Sequence, residues 1–368
     1  MIADNPWIDA IVRILLVVML VIGAALILIW LERKVAGRIQ MRLGPMVVGP
    51  YGLLQSVADA IKLMTKEDLR PASADRWVFE LAPFVAFVPS LLTLVSLPFT
   101  ADLFVRNLDL GLFYIVAVSG LSIVGLLMAG WGSANKYALL GAVRAAAQLI
   151  SYEIPLVLAI LAVAMVSGTL NLVEIVGGQG RVPYIAWQPL GFVIFIIATL
   201  AELYRNPFDI PTAESEIVGG PFIEYSGIRW SMFFFAEYVN VFMLSVLGSL
   251  VFLGGWNWPL GNEVGWPLQI VLIFIKTSAM LLMFMWLRVS LPRLRIDQLM
   301  SFCWQVLLPF SFLGIIINGL VLVYEWPDVL LGLFSGVAAL IAGWAVYRGS
   351  RRAVASQPWS AVPARGIH

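Results

Sequence analysis

The chain has 368 residues, of which 61% are hydrophobic and 12% are charged, and its formal net charge is +1. Soluble domains carry about 25% charged residues, so a mean hydropathy of +0.93 excludes an ordinary soluble domain and indicates a polytopic membrane protein. The near-neutral charge favours no nucleic acid partner. The single cysteine, Cys303, excludes an intrachain disulfide and a four-cysteine iron–sulfur cluster, and the single histidine, His368, is a poor haem ligand. Any redox chemistry would therefore use a mobile cofactor, with electrons supplied by another subunit.

A transmembrane helix needs about 20 apolar residues. We predict nine such helices, at 8–31, 77–99, 112–132, 148–168, 188–206, 232–254, 267–289, 302–324 and 329–347. The predicted fold class is therefore an all-α polytopic membrane protein. It forms one helical membrane domain over 1–348, followed by a short basic tail over 349–368.

The stretch PYGLLQSVADAIKLM, residues 50–64, has a different pattern. Its apolar residues fall near helical spacing, with Asp59 and Lys62 on the opposite face. This pattern predicts an amphipathic helix that lies on the membrane surface or packs against a partner.

Basic residues predict the orientation in the membrane. If the loop at 32–76 is cytoplasmic, all of the 23 Lys and Arg residues except Arg13, Arg106, Arg181 and Lys276 lie in or beside cytoplasmic segments. Such a bias follows the positive-inside rule. It predicts an N-terminus outside and a C-terminus in the cytoplasm, with the acidic loop at 205–231 on the cytoplasmic face.

Five ionisable residues fall within or at the ends of predicted spans, where a charge costs about 2.5–3.5 kcal/mol at a helix centre. They are Glu80, Glu153, Glu202, Glu237 and Lys276. The glutamates all lie near cytoplasmic helix ends, so they either share one polar layer or cap their helices at the interface. Clustered carboxylates in a low dielectric disfavour ionisation and can carry protons near neutral pH. Lys276 could neutralise one of these acids or form a structural pair.

The loop RNPFDIPTAESEIVGGPFIEYSGIRW, residues 205–230, concentrates four carboxylates between apolar spans. Three further stretches are polar, namely WLERKVAGRIQMRLGP (30–45), WGSANKYALLGAVRAAAQLISYEIP (131–155) and WLRVSLPRLRIDQLMSF (286–302). Anchoring by positive charge explains much of the basic content, but not Asp297. The alternative is that basic side chains beside a membrane cleft hold a polar head group and donate hydrogen bonds to a reducible carbonyl.

These stretches resemble the quinone-site membrane subunit of respiratory complex I, a family found in bacteria, mitochondria and chloroplasts. The matching runs are LERKVAGRIQMRLGP, VGPYGLLQSVADAIKLMTKED, GSANKYALLGAVRAAAQLISYEIP, AELYRNPFDIPTAESEIVGG, EYSGIRW and PRLRIDQLMSFCW. They occur in the family's order and spacing over residues 31–304. The chain departs from the usual pattern at Met46, where an amide is common, and at Thr212, which replaces an acid.

The resemblance implies a subunit of a proton-pumping NAD(P)H- or ferredoxin-type:quinone oxidoreductase. Such a subunit forms the quinone entry and chamber and couples quinone reduction to proton translocation through buried carboxylates. Quinone is then the substrate, and no haem, iron–sulfur cluster or metal is expected in this chain. Expected partners are soluble-arm subunits with the terminal iron–sulfur cluster, antiporter-like and small membrane subunits, and membrane lipid.

The resemblance also implies roles for individual positions. The quinone-cavity residues are expected to be Arg33, Arg42, Asp59, Lys62, Arg205, Asp209, Glu214, Glu216, Glu224, Arg288, Arg293, Arg295 and Asp297. The proton-coupling residues are expected to be Glu153, Glu202 and Glu237.

Several alternatives are compatible with the sequence. The homologous linker subunit of a membrane-bound hydrogenase or formate hydrogenlyase joins a similar arm without reducing quinone, and a stand-alone ion transporter would act alone. The expected location is a bacterial cytoplasmic (inner) membrane or a thylakoid membrane. The quinone is ubiquinone or plastoquinone, with RAAAQLISYEIPL and WQPLGFVIF leaning towards the plastoquinone-linked branch, and the donor is NADH, ferredoxin or a reduced deazaflavin.

Overall fold

The computed structural model describes residues 6–180, 182–212, 214–257 and 265–355, and across these residues the chain forms helices and no strand. The helices are α1 (Pro6–Ile39), α2 (Gln55–Thr65), α3 (Arg76–Leu92), α4 (Gly111–Ser119), α5 (Leu121–Gly132), α6 (Lys136–Ser167), α7 (Leu172–Gly178), α8 (Tyr184–Trp187), α9 (Pro189–Glu202), α10 (Glu214–Ile217), α11 (Gly227–Phe252), α12 (Trp266–Ser290), α13 (Ile296–Phe302), α14 (Leu308–Val323) and α15 (Asp328–Ala355). A π-helical turn at Cys303–Leu307 joins α13 to α14.

Within the described ranges, eight helical segments are long and apolar enough to cross a membrane. They comprise α1, α3, the joined α4 and α5, α6, α11, α12, the joined α13 and α14, and α15. The remaining predicted span, 188–206, corresponds to α9, a shorter apolar helix of 14 residues. The predicted all-α polytopic fold is confirmed. Arg181 and the end of the predicted tail, including His368, lie outside the described residues.

The predicted start of the fourth span at residue 148 is wrong, because α6 begins at Lys136. Asn135 caps this helix, with its Oδ1 accepting a hydrogen bond from the backbone N–H of Tyr137 at 2.9 Å. A boundary drawn at the apolar core excludes Lys136 and Arg144, although the alanine-rich run around them is a good helix former. α6 therefore extends beyond its apolar segment at this end.

The helices differ in how deeply they are buried. In the most apolar 18-residue segment of each helix, 72% of the residues are buried in α11 and 56% in α6, but only 17% in α15. The small side chains of Ser245 and Ser249 in α11 are fully buried and bring neighbouring helices close, as is common between membrane helices. α11 and α6 therefore form the centre of the bundle, and α15 lies at its edge.

The loops at 40–75, 133–135, 203–226 and 291–295 meet at one end of the bundle, which we call the polar end. The backbone N–H of Leu69 donates to Ser226 Oγ at 3.3 Å, and the N–H of Leu294 donates to the carbonyl of Pro207 at 3.0 Å. The helix predicted at 50–64 is present here as α2. Its residues Val57, Ile61 and Met64 are exposed, as expected of an amphipathic helix.

Candidate functional site

Four charged side chains from four separate elements converge at the polar end and form what we call the ionic centre: Glu32 of α1, Arg205 after α9, Glu237 of α11 and Arg288 of α12. Nη1 of Arg205 lies 2.7 Å from Oε1 of Glu32, and Nη2 of Arg205 lies 3.1 Å from Oε1 of Glu237. Arg288 also pairs with Glu32. The residues come from distant parts of the sequence, so the ionic centre exists only in the folded bundle.

The ionic centre is largely removed from water. Glu32 is 8% exposed and Arg205 is 3% exposed. The hydroxyl of Tyr238 donates to Glu32 Oε2 at 3.0 Å, and the guanidinium of Arg205 lies 5.1 Å from the centre of the Tyr238 ring. Two carboxylates and two guanidinium groups compensate one another, which a buried charge requires. Nε of Arg205 is nevertheless buried without a hydrogen-bond partner among the described residues.

A cavity of about 490 Å³ opens beside the ionic centre. Its polar lining comprises Ser122, Glu202, Tyr204, Asp209, Thr212, Glu237, Asn240 and Arg288, and its aromatic lining comprises Phe222, Tyr225, Trp230, Phe233 and Phe234. The 30% exposure of the Glu237 side chain is exposure to this cavity, because Glu237 lines its wall. The volume falls within the range of about 300–1,000 Å³ that is typical of small-molecule sites. A planar ring with polar oxygen atoms would match both parts of the lining.

Acidic side chains gather on the polar wall of this cavity. Glu202 and Glu153 are close enough for their charges to repel each other, and the same holds for Glu237 and Asp209. Oε2 of Glu202 is buried without a hydrogen-bond partner among the described residues, and so is the hydroxyl of Tyr204. Both residues line the cavity, so these two unpaired groups lie buried in its wall.

A second and more apolar cavity of about 1,000 Å³, which we call the side groove, lies between α1, α2 and α11. Its lining on α1 runs from Ile22 to Arg33, which is about 16 Å along the helix. Arg33, Asp59 and Lys62 supply polar lining. The side groove combines a long apolar wall with a charged rim.

Arg33 and Asp59 form an ion pair across this rim, with Nη1 of Arg33 at 2.8 Å from Oδ2 of Asp59. Lys62 Nζ lies 3.7 Å from the other carboxylate oxygen. Burial alone would raise the pKa of Asp59, but hydrogen bonds from Arg33 and Gln55 and the nearby positive charges outweigh it, so the pKa is lowered. Asp59 is therefore ionised at neutral pH.

Three aromatic residues, Tyr225, Trp230 and Phe234, line both the cavity and the side groove. The rings of Trp230 and Phe234 stack with centroids 5.0 Å apart, and Phe234 meets Tyr238 edge to face at 4.9 Å. One aromatic row on α11 therefore borders the apolar groove, the polar cavity and the ionic centre.

The other predicted cavity residues occupy different places. Glu216 pairs with Arg144 at 2.7 Å and with Arg293 at 3.5 Å, and Glu224 accepts a hydrogen bond from Asn135 at 2.6 Å. These contacts hold the acidic loop against α6 and the connection after α12. The side chains of Arg42, Arg295 and Asp297 are exposed and line neither cavity. The side chain of Glu214 lies outside the described residues.

Three of the five ionisable residues noted in the predicted spans have structural partners, namely Glu237 in the ionic centre and two residues outside it. Glu80 pairs with Arg70 at 2.8 Å and with Arg76 at 3.6 Å. Lys276 donates to the carbonyl of Asn257 at 2.7 Å, beyond the end of α11 that is opposite to the polar end. At 1.5 Å per helical residue, that end of α11 lies about 20 Å from Glu237. Lys276 is thus a partner of the α11–α12 connection.

Sequence reasoning did not assign roles to Glu32, Tyr238, Asn240 or Gln148. In the sequence Glu32 is only one residue of a basic stretch, because its partners Arg205 and Arg288 are far away along the chain. A signal for the next two was present: Glu237, Tyr238 and Asn240 place three polar groups in one turn of an otherwise apolar helix. Among the described residues, no group of three or more His, Cys, Asp or Glu could hold a metal ion.

The fold and the site define a class, namely an all-α integral membrane protein whose polar end holds a buried ionic centre between an apolar groove and an acidic cavity. Residues 12–319 match the family model described as NADH dehydrogenase, and the chain belongs to that family. Three relatives are named as the H subunit of NADH-quinone oxidoreductase, which is part of an oxidoreductase complex.

The similarity to these relatives covers most of each chain. The chain is 46% identical to the protein of Dehalococcoides mccartyi (strain CBDB1) over 332 residues, which are 90% of this chain and 92% of the relative. It is 45% identical to that of Brevibacillus brevis (strain 47 / JCM 6285 / NBRC 100599) over 315 residues, 86% and 94% of the two chains. It is 51% identical to that of Geobacillus kaustophilus (strain HTA426) over 291 residues, 79% and 87%. The resemblance to the complex I family is confirmed.

Proposed function

We propose that the side groove admits a quinone from the bilayer and that the cavity beside the ionic centre receives its head group for reduction. In this function the chain is the quinone-chamber subunit of a proton-pumping quinone oxidoreductase. Electrons come from a partner subunit, and the chain itself binds and orients the quinone and exchanges protons.

The main support for this proposal is that Tyr225, Trp230 and Phe234 line both the cavity and the side groove. A quinone has an apolar isoprenoid tail and a ring with two carbonyl oxygens. The side groove, with its apolar wall, suits the tail, and the cavity, with its aromatic and polar lining, suits the ring. The three shared aromatic residues can therefore contact both the tail and the ring of one quinone molecule.

The polar wall supplies the groups that reduction requires. Conversion of a quinone to a quinol takes up two electrons and two protons. Arg288 lines the cavity and can donate a hydrogen bond to a carbonyl oxygen of the quinone ring. Glu202, Asp209 and Glu237 can supply or receive protons when the negative charge on the ring changes.

Proton coupling is the second part of the proposal. Glu202 and Glu153 repel each other, and so do Glu237 and Asp209, so a charge change in the cavity alters the ionisation of Glu202 and Glu237 and through Glu202 that of Glu153. We assign Glu153, Glu202 and Glu237 to a carboxylate path from the quinone to the pumping subunits. Asp209 of the acidic loop lies in the cavity wall where this path begins, whereas Glu216 and Glu224 hold the loop in place through Arg144 and Asn135.

The proposal places the polar end in the cytoplasm, or in the stroma for a thylakoid membrane, where soluble-arm subunits with the terminal iron–sulfur cluster cover it. Antiporter-like and small membrane subunits then contact the sides of the bundle. The positive-inside bias supports this orientation. Arg42 is exposed in this chain and offers a test. After the soluble arm is removed, a Cys at this position should react with a membrane-impermeant maleimide in inside-out vesicles only. Reaction in right-side-out vesicles alone would reverse the orientation.

Tail recognition tests the groove directly. Ala60 lines the side groove, whereas Val57, one turn away on α2, is exposed and does not line it. Ala60→Phe fills the groove and should raise the KM of the assembled complex for a long-tailed quinone about tenfold, equivalent to about 1.4 kcal/mol, with little change for a short-tailed analogue. Val57→Phe should change neither value. Equal effects of Ala60→Phe on both quinones would place the tail elsewhere.

A further inference from the structure

The turn after α9 carries Arg205, and its backbone shape is unusual. α9 ends at Glu202, and the last carbonyls of a helix lack partners within the helix. Tyr204 follows with φ of +50°, in the left-handed region that non-glycine residues rarely adopt. The N–H of Arg205 returns to the carbonyl of Leu200 at 3.1 Å. Such a turn needs support from surrounding residues.

A single side chain on α6 bridges both ends of this turn. Nε2 of Gln148 donates to the carbonyl of Ala201 at 2.7 Å and to the carbonyl of Phe208 at 2.8 Å. Gln148 is 1% exposed, so this bridge is shielded from bulk solvent. Gln148 thereby closes the segment 201–208 as one unit.

Gln148 lies in the middle of one face of α6 on which the acidic loop is seated. Gly141, Arg144, Gln148 and Tyr152 are spaced three or four residues apart and so share this face. A Cβ added to Gly141 would lie 2.5 Å from the Cα of Gly220, and Arg144 pairs with Glu216. The rings of Tyr152 and Phe208 lie 5.4 Å apart. Of these contacts, only that of Gln148 reaches both ends of the Arg205 turn.

We infer that Gln148 is a positioning residue that fixes Arg205 in the ionic centre, and thereby sets how tightly the adjoining cavity binds its ligand. The inference about the turn rests on geometry alone, and its consequence for quinone binding rests on the proposed function. Without the bridge, the backbone of this turn becomes more mobile, and Arg205 no longer holds its ion pairs with Glu32 and Glu237. The expected effect is weaker binding in the cavity with an intact electron supply.

The test uses three variants of the intact complex. Gln148→Met keeps the length of the side chain and removes both N–H donors, and Gln148→His keeps one ring N–H. Gln188→Met is the matched control, because Gln188 is also a buried amide of 2% exposure that donates to a backbone carbonyl, Ala162, at 2.9 Å. Electron transfer from the donor to ferricyanide, which does not need the quinone site, reports whether the electron supply is intact.

Hydrogen exchange of the peptide covering 203–212 and the quinone KM are both measured. In Gln148→Met we expect exchange about tenfold faster and a KM about tenfold higher, with smaller changes in Gln148→His and none in Gln188→Met. Unchanged exchange in Gln148→Met overturns the inference whatever the KM. Faster exchange with an unchanged KM supports the bridging role of Gln148 and contradicts the assignment of this turn to the quinone site.

Discussion

Nη1 of Arg205 lies 2.7 Å from Oε1 of Glu32, although the two residues are 173 positions apart in the chain. One follows α9 and the other lies in α1, and both side chains are buried. The pair therefore joins two helices at the polar end and sets the position of the cavity wall. Glu32 also pairs with Arg288, and Arg205 also pairs with Glu237.

The pair should show strong energetic coupling. Arg205→Met and Glu32→Gln each remove one partner, and loss of one partner of a buried ion pair costs about 3–5 kcal/mol. The double variant should recover part of that cost, because it removes one charge of each sign and the remaining charges, Glu237 and Arg288, still balance. Thermal denaturation of the purified complex measures all three variants.

An exposed pair supplies the control for this comparison. Arg70 and Glu80 lie 2.8 Å apart but are 39% and 33% exposed, and exposed pairs contribute about 0–1 kcal/mol. Arg70→Met should therefore shift the denaturation midpoint little. Additive losses in Arg205→Met and Glu32→Gln would contradict the coupling of the buried pair.

Substitution of Glu202 or Glu237 by Gln should separate electron transfer from pumping. Both side chains line the cavity. Gln has nearly the same size as Glu but cannot gain or lose a proton. We expect quinone reduction to continue at a reduced rate and proton uptake into proteoliposomes to fall several-fold per electron. The measurement compares donor oxidation with quenching of a pH-sensitive dye in the same vesicles.

Glu80→Gln is the control for this experiment, because Glu80 is also at the end of a predicted span but pairs with Arg70 and Arg76 away from both cavities. It should leave the ratio of protons to electrons unchanged. Full coupling in both Glu202→Gln and Glu237→Gln would refute the carboxylate path.

Breaking the pair at the rim of the side groove should affect quinone entry. Arg33→Ala and Asp59→Asn both remove the 2.8 Å contact between α1 and α2, and we expect each to raise the quinone KM without preventing assembly. Arg38→Ala, an exposed residue that does not line the groove, is the matched control. If both variants have the same quinone kinetics as the unsubstituted complex, the rim is not part of the entry path.

The same pair predicts the direction of a pH effect. The pKa of Asp59 is lowered from its ordinary value of 3.8. A lowered carboxylate pKa stabilises the folded form above the ordinary pKa, and this stabilisation is lost as pH falls through the lowered value. Docking of α2, measured by hydrogen exchange of residues 55–65, should thus be unaffected by Asp59 between about pH 6 and 8. A change in that window that disappears in Asp59→Asn would contradict this assignment.

Lys276 should matter for stability and not for coupling. Its Nζ donates to the carbonyl of Asn257 at 2.7 Å, about 20 Å along α11 from Glu237. Lys276→Met should lower the denaturation midpoint of the complex and leave the ratio of protons to electrons unchanged. Loss of pumping without loss of stability would instead make Lys276 a member of the proton path.

The sequence was sufficient for the elements that depend on local pattern. Long apolar segments predict the spans, and the spacing of Val57, Ile61 and Met64 predicts α2. The resemblance implies that Asp209 and Arg288 belong to the quinone cavity and that Glu202 and Glu237 belong to the proton path. In the structure all four line one cavity. Helix ends were less accurate, since α6 continues as a helix past the point where apolar residues give way to Lys136 and Arg144.

Pairings between distant residues could not be predicted from pattern. Nothing local in the sequence links Glu32 to Arg205, or Gln148 to the carbonyls of Ala201 and Phe208. The acidic loop illustrates the same limit, because its carboxylates look equivalent in sequence. In the structure Asp209 lines the cavity, whereas Glu216 pairs with Arg144 and Arg293 on the outside of the loop.

Photolabelling of the intact complex tests the proposed quinone chamber most directly. A quinone analogue with a photoreactive azide on its ring is irradiated with the complex, and labelled peptides are identified by mass spectrometry. We expect labelling of this chain within 202–212 and 222–240, suppression of the labelling by excess unlabelled quinone, and much weaker labelling in Arg288→Met. Labelling confined to α14 and α15 or to other subunits, with no suppression by unlabelled quinone, would contradict the assignment of the cavity to quinone.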